Sequence, residues 1–312
     1  MPYLYDVERK INARIIIATL AGIILTVVLS YLFISNYIEK KRIRYIYDYI
    51  ALEDYDNASF IFKDLHSRKP LNKNILMAGI DLYYNILLIT TDKDVITTAS
   101  ENITKYAKQM LLTSKFIKNK YIIYQRLAYG FQRLGSSYYI DSYNSYLEAI
   151  KNGDNRVSTV IELAKICYKI GYYKEAIDNL EYAIKRDTEN NKEFLNLELY
   201  YELAVAYEGN KNYTKAIQIL SYIDGKFNND YKLEAKSYSK LGDLYYRQGL
   251  YKESEFFYKK ALLLDDKNPD LYYSIGELFR RTKRVSEAIA MFREALKIDN
   301  NYKPARDALR RL

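Results

Sequence analysis

Apolar residues recur along this chain at helical spacing, and toward its end that recurrence acquires a second, longer period. Ala235–Asn268 laid on Pro269–Tyr302 without a gap sets Tyr238 over Tyr272, Leu241-Gly242 over Ile275-Gly276 and Tyr245 over Phe279. Further on, Tyr258 falls over Phe292 and Ala261 over Ala295. The period is 34 residues, enough for two helices and their turns. The small residues Gly242, Gly276, Ala261, Ala288 and Ala295 predict close approach of two antiparallel helices. The aromatic positions predict the filling between one helix pair and the next.

The same register extends toward the N-terminus. Helix pairs are predicted over 121–156, 157–190 and 197–230, as over 235–268 and 269–302, with short inserts at 191–196 and 230–234. Glu39–Asn72 carries Tyr45, Tyr49, Tyr55, Ala58, Phe62 and Leu65 in register but has Ile46 where a small residue is expected. Residues 73–120 predict helices near Ile75–Ile89 and Val95–Phe116, the second capped by Thr90-Thr91-Asp92, in a unit longer than one period. Residues 39–120 are therefore degenerate repeat-like units. Residues 303–312, with Pro304 in a first helical turn, predict a capping helix over the last apolar face.

The order of large residue, Leu-Gly, aromatic, small residue, aromatic and Ala resembles the tetratricopeptide repeat (TPR) family, specifically over 121–302 and weakly before it. The resemblance implies an all-α fold, a TPR α-solenoid in which antiparallel helix pairs wind into a right-handed superhelix. It also implies a concave face built from the first helix of each pair. On that face it places Tyr129 and Arg133; Ile161, Lys165 and Tyr168; Tyr201 and Val205; Asp243, Tyr246 and Arg247; and Tyr273, Glu277, Arg280 and Arg281. Tyrosine mixed with Arg, Lys and acids is the composition of a protein-binding groove. Family members that grip a peptide's terminal carboxylate do so with Lys and Asn at set positions of this face. Here those positions hold Gln125/Tyr129, Ile161/Lys165, Tyr201/Val205, Ser239/Asp243 and Tyr273/Glu277, so that clamp is absent.

Residues 15–34 read IIIATLAGIILTVVLSYLFI, twenty without a charge. At 1.5 Å per residue they span about 30 Å, the thickness of a bilayer core, and predict a transmembrane helix in contact with lipid. The stretch exceeds the apolar region of a signal peptide, and no small-residue cleavage motif follows. Residues 1–14 form a short basic tail with Arg9, Lys10 and Arg14, answered on the other flank by Lys40, Lys41, Arg42 and Arg44. A single-pass protein of the inner membrane is expected, its repeats on the periplasmic side, with the cytoplasmic side as the opposite solution.

Charge sharpens this reading. Residues 1–44 are net +4, residues 280–312 net +6, and the body between them net −1. The basic C-terminal end suits an acidic partner, but a neutral body provides no basic track for nucleic acid. One His and one Cys exclude a histidine metal site and a disulfide framework; Cys167 falls on a packing position and His66 is expected at the surface. With no Gly-rich phosphate loop and no Ser–His pairing, an enzyme, a cofactor and a small-molecule substrate are not expected. The chain therefore reads as a membrane-anchored scaffold that docks proteins in assembly of a cell-envelope complex such as a periplasmic flagellar collar. An accessory chaperone or quality-control factor at the translocation machinery is the alternative.

Overall fold

The structure, a computed structural model, describes residues 2–113, 117–190, 196–227 and 230–312, with side chains from Thr19 onward except at 187–190. Phe116 and most of the 191–196 insert lie outside these residues. Among them all regular structure is helical, in fifteen α-helices and one 3-10 turn. They form two compact units, Met1–Gly153 and Asp154–Leu312.

The first unit contains α1 (Pro2–Ala51), α2 (Tyr55–Arg68), α3 (Lys73–Ile89), α4 (Lys93–Thr113), α5 (Lys120–Leu134) and α6 (Tyr139–Lys151). Short turns fold these into the pairs α1/α2, α3/α4 and α5/α6, and α3 packs between α1 and α5. Asn72 caps α3, its Oδ1 accepting from the amide of Asn74 at 2.9 Å, and Asp92 does the same for α4 through Asp94 at 2.9 Å. The second unit contains α7 (Val157–Ile170), α8 (Tyr173–Asn190), α9 (Leu197–Gly209), α10 (Tyr213–Ile223), α11 (Tyr231–Arg247), α12 (Tyr251–Leu264), α13 (Pro269–Arg281), α14 (Val285–Ile298) and the short α15 (Lys303–Leu309). Each odd-numbered helix from α7 to α13 pairs with its successor, and α15 lies against α14.

Two backbone features recur at the repeat period. Counted from residues 39, 121, 157, 197, 235 and 269, the fifteenth residue has a left-handed backbone in every case, from Glu53 (φ 58°) through Gly249 (φ 77°) to Lys283 (φ 64°). This residue turns the first helix into the second, and Lys283 holds without glycine a conformation that costs other residues about 1–2 kcal/mol. The unit starting at residue 73 lacks the feature because α3 runs on to Ile89. The second recurrence is a small residue at the twentieth position. Ala58, Ala176, Ala216, Ser254 and Ala288 all have no exposed surface, nor does Ser142, displaced two places by the longer turn after α5. Where serine replaces alanine, its hydroxyl donates across the pair, from Ser254 to the carbonyl of Gly242 at 2.9 Å and from Ser142 to that of Ala128 at 2.8 Å.

The aromatic positions work partly inside the pairs, where the sequence pattern suggested filling between them. A Cβ added at Gly242 would lie 2.5 Å from Cε1 of Tyr258, and one at Gly276 would lie 2.5 Å from Cε1 of Phe292. Both rings sit over a glycine of their own pair. In the α1/α2 pair Ile46 fills the matching place and is fully buried, so the Phe62 ring rests on Gly79 of α3 instead. His66 departs from expectation. It is half-buried in α2, 5.4 Å from Phe62 and 5.0 Å from Tyr106 between ring centroids, and burial with Lys105 nearby lowers its pKa.

Gly242→Ala tests the close approach. Alanine favours a helix over glycine by about 1 kcal/mol, but forcing a methyl into a filled core costs about 1–3 kcal/mol. The Tyr258 ring cannot swing away, because its hydroxyl is held by Asp243 at 2.7 Å. Thermal unfolding should show Gly242→Ala less stable than the parent. At Gly130 the nearest atom to an added Cβ is Cγ2 of Ile103 at 3.3 Å, so Gly130→Ala should be tolerated much better.

Candidate protein-binding face

Helices α7, α9, α11 and α13 present one face of the second unit. The chemistry there starts from their periodicity: residues four apart share a face, so Lys165 follows Ile161 and Val205 follows Tyr201 one turn later. Glu277 likewise follows Tyr273 by one turn.

At the α7–α9 end, Lys165 Nζ lies 3.0 Å from Glu162, 3.2 Å from Glu198 and 3.9 Å from Glu202. Burial opposes the Lys165 charge, but the three carboxylates raise its pKa overall. Glu202 is pushed up to about 7, first by burial and then by Glu198 and Glu162, against the opposing pull of Lys165 and Lys236. Its side chain is 13% exposed. Lys165, Tyr201, Glu202 and Lys236 share a cleft of 280 Å³.

Further along, buried Glu208 accepts from Lys240 at 2.9 Å and pairs with Arg247 at 3.4 Å. Burial raises the pKa of Asp243, although the Tyr258 hydroxyl and Lys240 hold its charge. Asp243, Tyr246, Arg247, Tyr273 and Glu277 line a second cleft, of 380 Å³. Arg280 closes on Glu277 with its Nη2 at 2.6 Å, and Arg281 reaches the Tyr251 hydroxyl at 3.3 Å.

The structure thus gathers Lys165 and Tyr201 at one cleft, and Asp243, Tyr246, Arg247, Tyr273 and Glu277 at the next. Tyr168 is exposed, its ring edge-on to Tyr173 at 5.5 Å, and Val205 is half-buried between neighbours. Ile161 is 4% exposed and belongs to the core, so it offers nothing to a partner. Tyr129 and Arg133 lie in the first unit. Arg133 donates to the Thr90 carbonyl at 2.9 Å, tying α5 to the end of α3. Tyr129 stands edge-on to Tyr84 at 5.2 Å, and the Arg126 guanidinium covers the same ring at 3.6 Å.

Sequence reasoning missed the residues that organise these faces. Asp81, between Tyr47 at 3.2 Å and Arg126 at 3.4 Å, is one, and its separation of 34 residues from Tyr47 was the available signal. Glu202 and Lys240 are the others, and only their cross-helix partners single them out. Cys167 is fully buried and its thiol is pushed up to about 12, chiefly by burial, which leaves it a packing residue. Among the described residues no group of His, Cys, Asp and Glu could hold a metal ion.

Glu202 gives the face a measurable pH response. Its folded pKa lies above its ordinary value of 4.5, so folding favours the protonated form. Its contribution to stability is present below about pH 4.5 and is lost as pH rises through about 7. Glu202→Gln should therefore raise the melting temperature at pH 8 and leave it nearly unchanged at pH 4.5. An equal effect at both would show that Glu202 ionises normally.

Comparison with known proteins agrees with this architecture. Residues 161–231 and 233–301 match the tetratricopeptide repeat family. Among curated proteins none matches the sequence. Similar solved structures include a tetratricopeptide repeat protein from Parabacteroides merdae, at TM-score 0.66 and 15% identity over 87% of this chain and 97% of that one. The apo form of the quorum sensor NprR from B. thuringiensis follows at TM-score 0.59 and 15% identity, over 85% and 77%. The C-terminal part of a TPR repeat-containing protein from Cytophaga hutchinsonii has TM-score 0.56 and 18% identity, over 86% and 99%. At these identities the likeness to solved structures is one of fold, while the two sequence matches show tetratricopeptide repeats over residues 161–231 and 233–301.

Proposed function

We propose that this protein is a membrane-anchored scaffold that docks a partner protein along the α7–α13 face. The observation that carries the anchor is the state of α1. Large apolar side chains from Leu20 to Ile38 are exposed, Leu25 at 58% and Phe33 at 75%, yet the same unbroken helix delivers Ile46 into the core. A core helix of a soluble fold would bury such a stretch, and an exposed one of this length is covered by lipid. The tail holding Arg9, Lys10 and Arg14 is the cytoplasmic side in this reading, with the repeats exported. A reporter fused after Leu312 that is active only in the cytoplasm would reverse the orientation.

For docking, the support is the pair of mixed-charge clefts flanked by Tyr201 and Tyr246. The setting we favour is assembly of a cell-envelope complex, a periplasmic flagellar collar being one such assembly. Affinity purification of the full chain from cross-linked membranes distinguishes this from a chaperone. A scaffold brings one partner in fixed ratio, whereas a chaperone brings many clients at low occupancy.

Adjacent tyrosines separate binding from folding. Tyr245 stacks on Phe257 at 5.4 Å with the rings 7° from parallel, while Tyr246 borders the cleft. Losing a hot-spot residue costs about 2 kcal/mol or more, some thirtyfold in affinity. Tyr246→Ala should lose the cross-linked partner and keep its melting temperature. Tyr245→Ala should lose about 3 kcal/mol of stability first. If Tyr168→Ala, Tyr201→Ala and Tyr246→Ala all keep the partner, the face is not the docking surface, and charge reversal at Arg310 and Arg311 becomes the next measurement.

A further inference from the structure

Where α1 leaves its apolar stretch, the first unit opens a cleft of 270 Å³ between α1 and the C-terminal end of α2. Its lining joins apolar and basic side chains: Ile34, Ile38 and Leu65 with Arg42, Arg68 and Lys69, beside the buried carboxylate of Glu39. We infer that this cleft binds the headgroup of an anionic phospholipid from the bilayer that α1 crosses. The inference rests on the anchor reading above.

Position along α1 supports it. At 1.5 Å per residue, Ile38 stands about 6 Å and Arg42 about 12 Å beyond Ile34, the end of the apolar stretch. The headgroup layer of one leaflet is about 5–8 Å thick. Ile38 therefore lies within that layer and Arg42 about 4–7 Å beyond it, a distance that a long basic side chain spans back toward phosphate. Tyr31, also lining the cleft and 70% exposed, is at the depth where amphipathic rings settle at an interface.

The charges are held in place rather than free to wander. Asp64 pairs with Arg42 at 2.6 Å and with Arg68 at 2.9 Å. Buried Glu39 holds Lys69 and accepts from Asn72 at 2.7 Å. Three bases against two acids leave a positive charge, and Lys40, Lys41 and Arg44 are exposed on neighbouring positions of α1. Arg68 and Lys69 keep 67% and 52% of their side-chain surface open, available to a phosphate oxygen. Juxtamembrane clusters of this kind favour anionic lipid over zwitterionic lipid.

The test uses the full chain. Membranes are washed with alkaline carbonate, and the protein is then extracted in mild detergent and studied by native mass spectrometry with added phosphatidylglycerol or phosphatidylcholine. The wild type should stay with the membrane and retain phosphatidylglycerol at least about tenfold better than phosphatidylcholine, as two basic contacts would give. Arg68→Gln with Lys69→Gln should remove that preference, and Arg68→Lys with Lys69→Arg should preserve it. Arg68→Gln alone, which leaves Asp64 paired with Arg42, should weaken it at an unchanged melting temperature. Equal retention of both lipids, or a preference indifferent to the Gln variants, overturns the lipid site while the anchor stands. Displacement of phosphatidylglycerol by equimolar inorganic phosphate also overturns it, since the ligand would then be a soluble anion. Release of the chain by carbonate removes the anchor and the lipid site together.

Discussion

The distance between the two helices of a pair is the constraint on which this structure depends. It is set by residues with little or no side chain. Ala58, Ser142, Ala176, Ala216, Ser254 and Ala288 each sit with no exposed surface where the second helix crosses the first. A larger group at any of these would separate the helices and open voids along both, because interiors packed this densely have no slack. Gly242 and Gly276 push the same logic further, admitting the rings of Tyr258 and Phe292 against bare backbone. In the α1/α2 pair, Ile46 takes the place of the small residue on the first helix. The Phe62 ring is displaced to the next helix, and a contact internal to other pairs becomes a link between two pairs.

Close packing of rings in turn explains much of the abundance of tyrosine. A buried phenol needs a partner for its hydroxyl, and repeatedly that partner is a carboxylate. Tyr238 donates to Asp224 at 2.7 Å, Tyr258 to Asp243 at 2.7 Å, Tyr207 to Glu181 at 2.5 Å, and Tyr302 to Asp270. These acids are occupied by the fold. On the α7–α13 face Asp243 is taken up in this way, whereas Glu198 beside Lys165 keeps half of its side-chain surface open and is the more available carboxylate. Glu208 is already claimed by Lys240 and Arg247.

Much of this architecture was legible in the amino-acid sequence alone. Exact tandem spacing of Leu241-Gly242 and Ile275-Gly276 predicted helix pairs, because a small residue beside a large one at that interval has few other uses. The position of Cys167 in the core followed from the same register. His66 misled because nearby Arg68 and Lys69 suggested solvent, whereas its neighbours across the pair, Phe62 and Tyr106, are aromatic. The candidate face was only half legible. The repeat resemblance put Tyr246, Tyr273 and Glu277 on one face, but it could not see that Ile161 turns inward or that Arg133 is consumed by the Thr90 carbonyl. Sequence spacing assigns a residue to a helix stripe; which flank of the stripe faces a neighbour depends on contacts between helices that no single-helix pattern contains.

The junction between the apolar stretch and the repeats obeys the same economy of backbone. No flexible linker intervenes, since α1 runs unbroken from its apolar stretch to Ala51. Glu39, buried on that helix, grips Lys69 and Asn72 at the turn joining α2 to α3. A Gly/Ser linker would let the first unit sample many directions, but a continuous helix fixes both its rotation and its distance relative to the apolar stretch. Each residue of α1 turns the helix by about 100° and advances it 1.5 Å. One residue more between Ile34 and Glu39 would leave Glu39 and Arg42 with their partners on α2 and at the α2–α3 turn, and would turn Ile34 and the rest of the apolar stretch away from the cleft. With the anchor proposed above, the spacing of this segment is under two separate demands, from the bilayer on one side and from the α2–α3 turn on the other, and the stretch from Ile34 to Glu39 satisfies both at once.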